Sequence, residues 1–389
     1  MYTDLYFGVL IKQLSLSNYL GASPILWDAK NRKIIVTQLS KVKFYIFSVL
    51  MFIALVYMGG VIIYIKICYG MSRIGICIAV FYSASFHYCA VAGFLPMPEN
   101  VASLTNTMLK FGKDFHRQWK LEPIPKNKPT PKRSSASYFE KICDGMCRNG
   151  YTTPIWISLH FFISPTTPPY PFALLPPSYL NVFTYFSWGI LCTYLIFAIS
   201  SCMMTIVIIF VTYGFLMHNV LKNELFPQSR NGYTTHDQLR NKGNLFRAYR
   251  QFEILHKYAN STFEHVILPG QILVTQGCLS CNYVLLTSWT NLDVSSISIL
   301  IMWTFLGITM WTVFLLTTSL VSTQGRRMLD SWKFLNWSKA EMKYMKKFKK
   351  GCRPLGVRVG GFYCVKQINV LKYLHGIFRG TFRALLALG

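Results

Sequence analysis

Charged and apolar residues are strongly segregated along this chain. All but five of its 40 lysine and arginine residues fall into four blocks, residues 1–43, 99–148, 222–257 and 326–366. Between and after the blocks lie apolar stretches long enough to cross a bilayer, which requires about 20 residues per helix. The pattern predicts an all-α membrane protein with seven transmembrane helices, at residues 44–65, 74–98, two within 150–221, then 265–292, 294–325 and 367–388.

Two of the predicted spans are interrupted or unusual in composition. The middle of the 150–221 stretch reads SPTTPPYPFALLPPS, residues 164–178, and is too rich in proline to stay helical. It therefore separates the third span from the fourth. The seventh span is short and carries Lys372, Arg379 and Arg383.

The positions of the basic blocks predict the orientation of the chain. Lysine and arginine concentrate in the cytosolic loops of membrane proteins, because short basic loops are not moved across the bilayer. Placing all four blocks in the cytosol gives a cytosolic N-terminus and an extracellular C-terminus. This is the reverse of a G-protein-coupled receptor, and it predicts a multi-pass protein of the plasma membrane.

Composition excludes several other classes of protein. The net charge of +26 would suit a nucleic-acid-binding protein, but every basic block adjoins an apolar span, so membrane lipid is the nearer anionic partner. The pairs Cys278/Cys281 and Cys143/Cys147 lack a second His/Cys pair at zinc-finger spacing, and we expect no metal site or disulfide framework. Catalytic motifs are missing as well, so we expect neither an enzyme nor a cofactor.

Aromatic residues in the predicted outer halves of the spans suggest a ligand pocket. The predicted extracellular loops are too short to form a binding domain, so a small hydrophobic ligand must bind among the helices, in a mostly apolar site with few polar groups. Core packing or an interfacial aromatic belt is the alternative for each residue. The candidate ligand-binding residues are Tyr82 and Phe86, one helical turn apart, with Trp156, His160, Trp188, Trp303 and Leu306.

His160 is the one candidate with a hydrogen-bonding side chain in an otherwise apolar span. It could donate a hydrogen bond to a carbonyl or hydroxyl group of the ligand. Alternatively, its ring nitrogens are satisfied within the protein itself, as is common for a buried histidine.

The C-terminal region resembles a known family. DSWKFLNWSK follows the sixth span, and CRPLGVRVGGFYC precedes the last helix. Both resemble the insect odorant receptor family, whose members carry a Trp after the sixth span and then a motif of the form RPL-x-(I/V)-x-(V/A)-G-x-F/Y. The matching residues are Trp337, Arg353, Pro354, Leu355, Gly360 and Phe362.

This resemblance implies a function and a division of the chain. Such receptors are subunits of tetrameric, ligand-gated, non-selective cation channels of sensory neurons, usually heterotetramers with a shared odorant co-receptor, and they bind volatile hydrophobic odorants among spans two, three, four and six. It implies a cytosolic N-terminal segment (1–43), six helices that hold the pocket in their outer half (44–325), a cytosolic anchor segment (326–366) and a pore-lining seventh helix (367–389). Residues 337–350 would form the anchor helix.

Helical geometry predicts which face of the last helix lines the pore. At 100° per residue Thr381 and Leu385 share one face, whereas Arg379 and Arg383 lie nearly opposite. Arginines in the lumen would oppose cation flow, so we predict that Thr381 and Leu385 line the pore and that uncharged co-receptor helices complete it. Leu385 as the constriction follows from the family's gate. Gly376 and Gly380 form a GxxxG that permits close helix packing.

A gustatory receptor of the same superfamily is the main alternative. Its last helix usually carries TY followed five residues later by QF, whereas here the stretch reads GTFRALLAL, with Phe382 in place of the tyrosine. A G-protein-coupled receptor is disfavoured further, because the DRY and NPxxY motifs are absent.

Overall fold

The computed structural model describes residues 4–69, 74–119, 145, 150–168, 170–226, 235–335, 337–352 and 355–388. These residues form a helical bundle with two short β-hairpins, which confirms the predicted helical class and adds hairpins that were not predicted. The elements are α1 (Asp4–Tyr19), β1 (Ile25–Asp28), β2 (Lys33–Val36), α2 (Gln38–Tyr69), α3 (Ile74–Phe94), α4 (Pro98–Trp119), α5 (Thr152–Ile163), α6 (Val182–Asn219), α7 (Lys242–Thr287), α8 (Val294–Ser331), α9 (Lys339–Gly351), β3 (Arg358–Val359), β4 (Tyr363–Cys364) and α10 (Gln367–Leu388).

In the part of the chain that the structure describes, four helical segments are long and apolar enough to cross a membrane: Gln38–Cys68, Ile74–Phe94, Val182–Gly214 and Val294–Phe334. The predicted third span, α5, is apolar but has only 12 described residues. The proline-rich segment after it is not α-helical, as predicted, and contains the short 3₁₀ turns Pro171–Leu174 and Pro177–Tyr179. The total of seven spans and the orientation of the termini stay predictions.

α7 is much longer than the predicted fifth span. It comprises 46 residues, about 69 Å at 1.5 Å per residue, and begins 23 residues before the predicted start at residue 265. Pro269 lies inside it without ending the helix. The extra length is polar on one side, whereas its other side carries buried residues such as Leu245, Tyr249 and Phe252. The predicted span was defined by the absence of charged residues, so it could not include this part of α7.

An aromatic cluster joins the early part of α7 to the chain after α8. Phe246 packs on the rings of Trp337 and Phe348, with centroids 5.7 and 4.4 Å away, and Tyr249 packs on Trp332. Trp332 donates a hydrogen bond to the carbonyl of Leu225. α9, which packs here through Phe348, falls within the predicted anchor segment and begins after Ser338, whose side chain caps it together with Glu341.

α1 is held against α6 by a buried polar cluster. Ser17 Oγ lies 2.6 Å from both Ser201 Oγ and Thr205 Oγ1, and Gln13 donates to the carbonyl of Ser201 at 2.9 Å. Tyr151 donates to Gln13 from the chain just before α5. Because buried polar groups are costly when unpaired, these matched partners fix the position of α1 on α6.

Ser17→Ala should therefore destabilise the protein. The substitution leaves the hydroxyls of Ser201 and Thr205 with fewer partners, and we expect the free energy of unfolding to fall by about 1–2 kcal/mol. Ser15→Ala, on the exposed side of the same helix, is the matched control and should stay close to the unaltered protein. Thermal unfolding of detergent-solubilised protein measures both; equal melting temperatures for the two variants would contradict the role of the cluster.

The first hairpin lies against α4. Its strands are antiparallel, with Ile25 opposite Val36, and Asp28 accepts hydrogen bonds from the backbone of the turn. Asn106 of α4 both donates to the carbonyl of Ile34 and accepts from its amide, at 2.7 and 2.8 Å. These two bonds hold the edge of the hairpin beside the turn between α3 and α4.

The second hairpin contains part of the recognised motif. Gly360 and Gly361 connect its strands with φ values of 52° and 76°, a region that glycine enters at no steric cost. Leu355 is buried against Gly325 of α8. Phe362 is exposed, and Arg353 and Pro354 lie outside the described residues.

Candidate functional site

The predicted pocket residues of α3 lie against glycines of α7. A Cβ atom built on Gly277 would lie 3.7 Å from Cβ of Tyr82, and one built on Gly270 would lie 3.7 Å from the ring of Phe86. Both aromatic side chains are half-buried. The one-turn spacing of Tyr82 and Phe86 thus places them on one face, as predicted, and that face meets α7.

Trp303 of α8 lies at a similar depth to Tyr82. It packs against a buried cluster formed by Ala79, Cys281, Val284 and Leu300, which belong to α3, α7 and α8. Tyr82 is eight residues from the start of α3 and Trp303 nine from the start of α8, about 12–14 Å along each helix. Tyr82 thus meets α7 at Gly277, and Trp303 packs about one turn nearer the outer end, at Cys281 and Val284.

Phe86 meets a residue that the sequence did not single out. Trp311 lies 3.5 Å from the Cβ position of Gly270, beside Phe86, and stacks on Phe314 with centroids 4.9 Å apart. Its Nε1 is buried and has no hydrogen-bond partner among the described residues. Buried donors are normally paired, so this N–H is available to an acceptor that enters the bundle.

His160 is buried, and both of its ring nitrogens lie within hydrogen-bonding distance of neighbouring side chains. One ring nitrogen, Nδ1, lies 2.6 Å from the hydroxyl of Tyr170, and Nε2 lies 3.2 Å from that of Ser296. The prediction left open whether this histidine serves a ligand or is satisfied within the protein; here both nitrogens have side-chain partners. Those partners lie 10 and 136 residues away, so sequence proximity gave no signal for the second.

Asp293 caps α8 next to this histidine. Its carboxylate accepts hydrogen bonds from the side chain of Ser296 at 2.6 Å and from the Ser296 backbone at 3.0 Å, and also from the hydroxyl of Ser295. Partial burial raises the pKa of Asp293, but the hydrogen bonds from the two serines outweigh it and hold the pKa below its usual value. A charged carboxylate at a helix N-terminus is favourable, so the cap ties α8 to α5 through Ser296 and His160.

The other predicted pocket residues lie apart from this group. Trp156 is 57% exposed on the outer face of α5 and does not point into the described bundle. Trp188 of α6 and Leu306 of α8 are half-buried. Two grooves, of about 480 and 450 Å³, lie near the other end of α3, and none of the predicted ligand residues lines them.

α10 packs on α7 through the face that carries Thr381. Thr381 is only 8% exposed and accepts a hydrogen bond from Asn282 of α7 at 3.2 Å. Its face of the helix, with Tyr373 and Ile377, packs inside the subunit, and the role of Thr381 in a pore stays a prediction. The physical reason for this packing is that the hydroxyl finds a partner on α7. Leu385 keeps a half-buried side chain, and we retain it as a pore candidate.

The two glycines of the GxxxG sequence have different surroundings. A Cβ atom on Gly380 would approach Leu279 of α7 to 2.8 Å, whereas Gly376 has open space around it. Close packing at Gly380 is therefore made within the chain.

Gly380→Leu should consequently destabilise the packing of α10, whereas Gly376→Leu should not. Overpacking at a tight contact costs about 1–3 kcal/mol, and replacing a helical glycine at an open site is neutral or favourable. We expect a lower melting temperature of the detergent-solubilised protein for the first variant alone. A similar melting temperature for both would mean that α10 does not rest on Leu279.

Among the residues that the structure describes, no group of three or more His, Cys, Asp or Glu side chains could hold a metal ion. The nine described cysteines are free, and Cys278 and Cys281 are buried in the bundle. Cys143 and Cys147 lie outside the described residues.

Comparisons with known proteins identify the fold. No family model and no curated protein matches the sequence. Among solved structures, the chain is similar to the insect olfactory receptor OR5 from Machilis hrabei in complex with eugenol, with a TM-score of 0.66, 14% identity, and coverage of 98% of this chain and 100% of that one. The same receptor without the ligand named gives a TM-score of 0.64 at 14% identity, covering 99% and 100%. The chain therefore has the fold of that receptor over nearly its whole length.

Proposed function

We propose that this chain is an insect odorant receptor subunit of a ligand-gated, non-selective cation channel in the plasma membrane. The observation that carries the proposal is the likeness to an olfactory receptor over nearly all of this chain and all of that one. Four helices that are long and apolar enough to cross a membrane support it. The likeness is independent of the short C-terminal motif that first indicated the family, and neither similar structure is an enzyme.

The ligand of this receptor is a small hydrophobic odorant. The similar receptor is described with bound eugenol, which supports a ligand of that class for this fold. The site we propose lies beside α7, between Tyr82 of α3 and Trp303 of α8, and extends inward to Phe86 and Trp311. Aromatic walls with one unpaired N–H donor suit a ligand that is mostly apolar and carries one acceptor.

His160 contributes to this site by position. Its hydrogen bonds to Tyr170 and Ser296 hold α5 and the following loop on the outer end of α8, about two turns beyond Trp303. The ring thus closes the outer end of the site and keeps Trp303 in place. Trp188 and Leu306 remain candidate ligand-binding residues on neighbouring helix faces. Trp156 also remains a candidate, and its side chain points furthest away from the others.

The pore of the channel is formed by α10 together with subunits of a co-receptor. The exposed side of α10 carries the apolar residues Phe378, Phe382 and Leu386, and beside them Arg379 and Arg383. An assembly in which partner helices carry no such charges keeps the pore favourable to cations. Leu385 is the residue we propose at the constriction.

Recording of odorant-evoked current tests the function directly. The chain is expressed with the co-receptor in a cell line and exposed to a panel of volatiles that includes eugenol. We expect an inward cation current, or a rise in intracellular calcium, for at least one hydrophobic odorant. Absence of any response from a chain that reaches the cell surface would overturn the proposal.

A further inference from the structure

A groove at the start of α2 has the features of a binding site that is separate from the odorant pocket. It measures about 480 Å³ and lies between the first turns of α2 and the turn that connects α3 to α4. Its floor is the buried ring pair Phe44 and Phe94, whose centroids lie 6.2 Å apart. The volume falls in the range of small-molecule sites.

The two ends of the groove differ in polarity. Val42, Tyr45 and Ile46 form an apolar wall and are about half exposed. At the polar end Lys41 forms an ion pair with Glu99, and both side chains remain substantially exposed. The groove is thus amphipathic, with a single charge of each sign at one end.

The location of the groove indicates what occupies it. Lys41 stands one turn before the uncharged stretch that begins at residue 44, so the polar end lies at the membrane surface. The apolar wall continues along α2 as a stripe of exposed residues within the span, Val49, Phe52, Ile53 and Val56. A molecule with a charged head at Lys41 and an apolar chain along this stripe would match both parts.

We propose that this groove binds a membrane phospholipid whose headgroup carries a primary amine, such as phosphatidylethanolamine. Its phosphate accepts hydrogen bonds from Lys41, its ammonium donates to Glu99, and its first acyl carbons lie over Phe44 and Tyr45. The exchange replaces one exposed ion pair, which contributes little to stability, by two charge-assisted contacts. A second groove of about 450 Å³, lined by Asn106 and Lys110, also borders Glu99.

The site does not depend on odorant gating. It requires only that α2 enters the membrane at residue 44, so a failed lipid experiment leaves the proposed receptor function intact, and the reverse also holds.

The full chain, reconstituted in phosphatidylcholine nanodiscs with a small fraction of photoactivatable phosphatidylethanolamine, is irradiated and digested. Labelled peptides are then identified by mass spectrometry.

We expect labelling in the first turns of α2 and in the α3–α4 turn. Lys41→Ala should reduce it by about tenfold, the effect of losing one charge-assisted contact. Lys43→Ala removes the same charge at the same level but does not line the groove, and it should leave labelling unchanged. Glu99→Gln should abolish the preference for the ethanolamine probe over a phosphatidylglycerol probe of the same chain length.

Three results would overturn the proposal. Equal labelling in Lys41→Ala and Lys43→Ala would mean ordinary boundary lipid. Equal labelling of the unaltered chain by ethanolamine and choline probes would mean that the groove does not recognise the primary amine. Labelling at the groove that is displaced by a partner subunit would assign the surface to protein contact. Lys41 and Glu99 are both exposed, so unchanged melting temperatures of the variants confirm that the fold is intact.

Discussion

Tyr82→Ala and Trp303→Ala are each expected to raise the odorant concentration for half-maximal current by about tenfold, with subunit assembly unchanged. Tyr82 meets α7 at Gly277 and Trp303 packs about one turn further out, and each substitution removes an aromatic wall of the proposed site without a buried polar group being left unpaired. Dose–response curves of agonist-evoked current in cells that also express the co-receptor measure the shift.

Phe305→Ala is the matched control for Trp303→Ala. Phe305 is two residues along α8 and 67% exposed, so its loss should leave the dose response unchanged. Unaltered sensitivity in both Tyr82→Ala and Trp303→Ala would remove this pocket. A loss of surface expression, measured by biotinylation, would instead indicate a structural role for the ring and contradict the expected assembly.

Trp311→Phe separates the polar part of the site from its shape. The substitution keeps an aromatic ring next to Phe86 but removes the buried N–H, so only odorants with an acceptor group should lose potency, by about three- to tenfold for one hydrogen bond. A hydrocarbon odorant of similar size is the internal control. Equal loss for both odorants would mean that the indole acts by packing alone.

The chain expressed by itself is expected to give at least about tenfold less odorant-evoked current than the chain with the co-receptor, because like charges that meet at an interface cost several kcal/mol. Lys372, Arg379 and Arg383 are all exposed and share one side of α10, opposite its buried face. Identical copies arranged around a pore would bring these charges near one another. Co-receptor subunits without them relieve the repulsion.

Whole-cell recording with and without the co-receptor measures this difference. Surface biotinylation of the chain expressed alone controls for failure to reach the membrane. Robust odorant-gated current from the chain alone would overturn the requirement for a second kind of subunit.

The apolar segments were predictable because hydropathy is a local property. α10 has the predicted bounds, 367–388, and the break after α5 follows from its prolines. α3 ends at Phe94, before the predicted residue 98, because Pro96 and Pro98 interrupt the helix and Pro98 begins the next one. In these places the sequence signal and its physical cause lie within a few residues of each other.

Features that depend on distant partners were not predictable in the same way. A helical wheel placed Thr381 opposite the arginines but could not say which side packs on Asn282, 99 residues away. His160 finds Ser296 across 136 residues. The unpaired N–H of Trp311 could not be predicted either, because it depends on which side chains pack around α8. Pairing between helices therefore carries the information that the sequence pattern lacks.

The uninterrupted length of α7 has a mechanical consequence. Because α7 is about 69 Å long, a tilt of a few degrees at the aromatic cluster around Phe246 displaces its other end, at the outer loop, by several ångströms. The helix has a weak joint at Pro269, where the missing N–H leaves a carbonyl one turn earlier without its helical bond. Bending is easiest at that joint, and the neighbouring Gly270 is the point against which Phe86 and Trp311 rest.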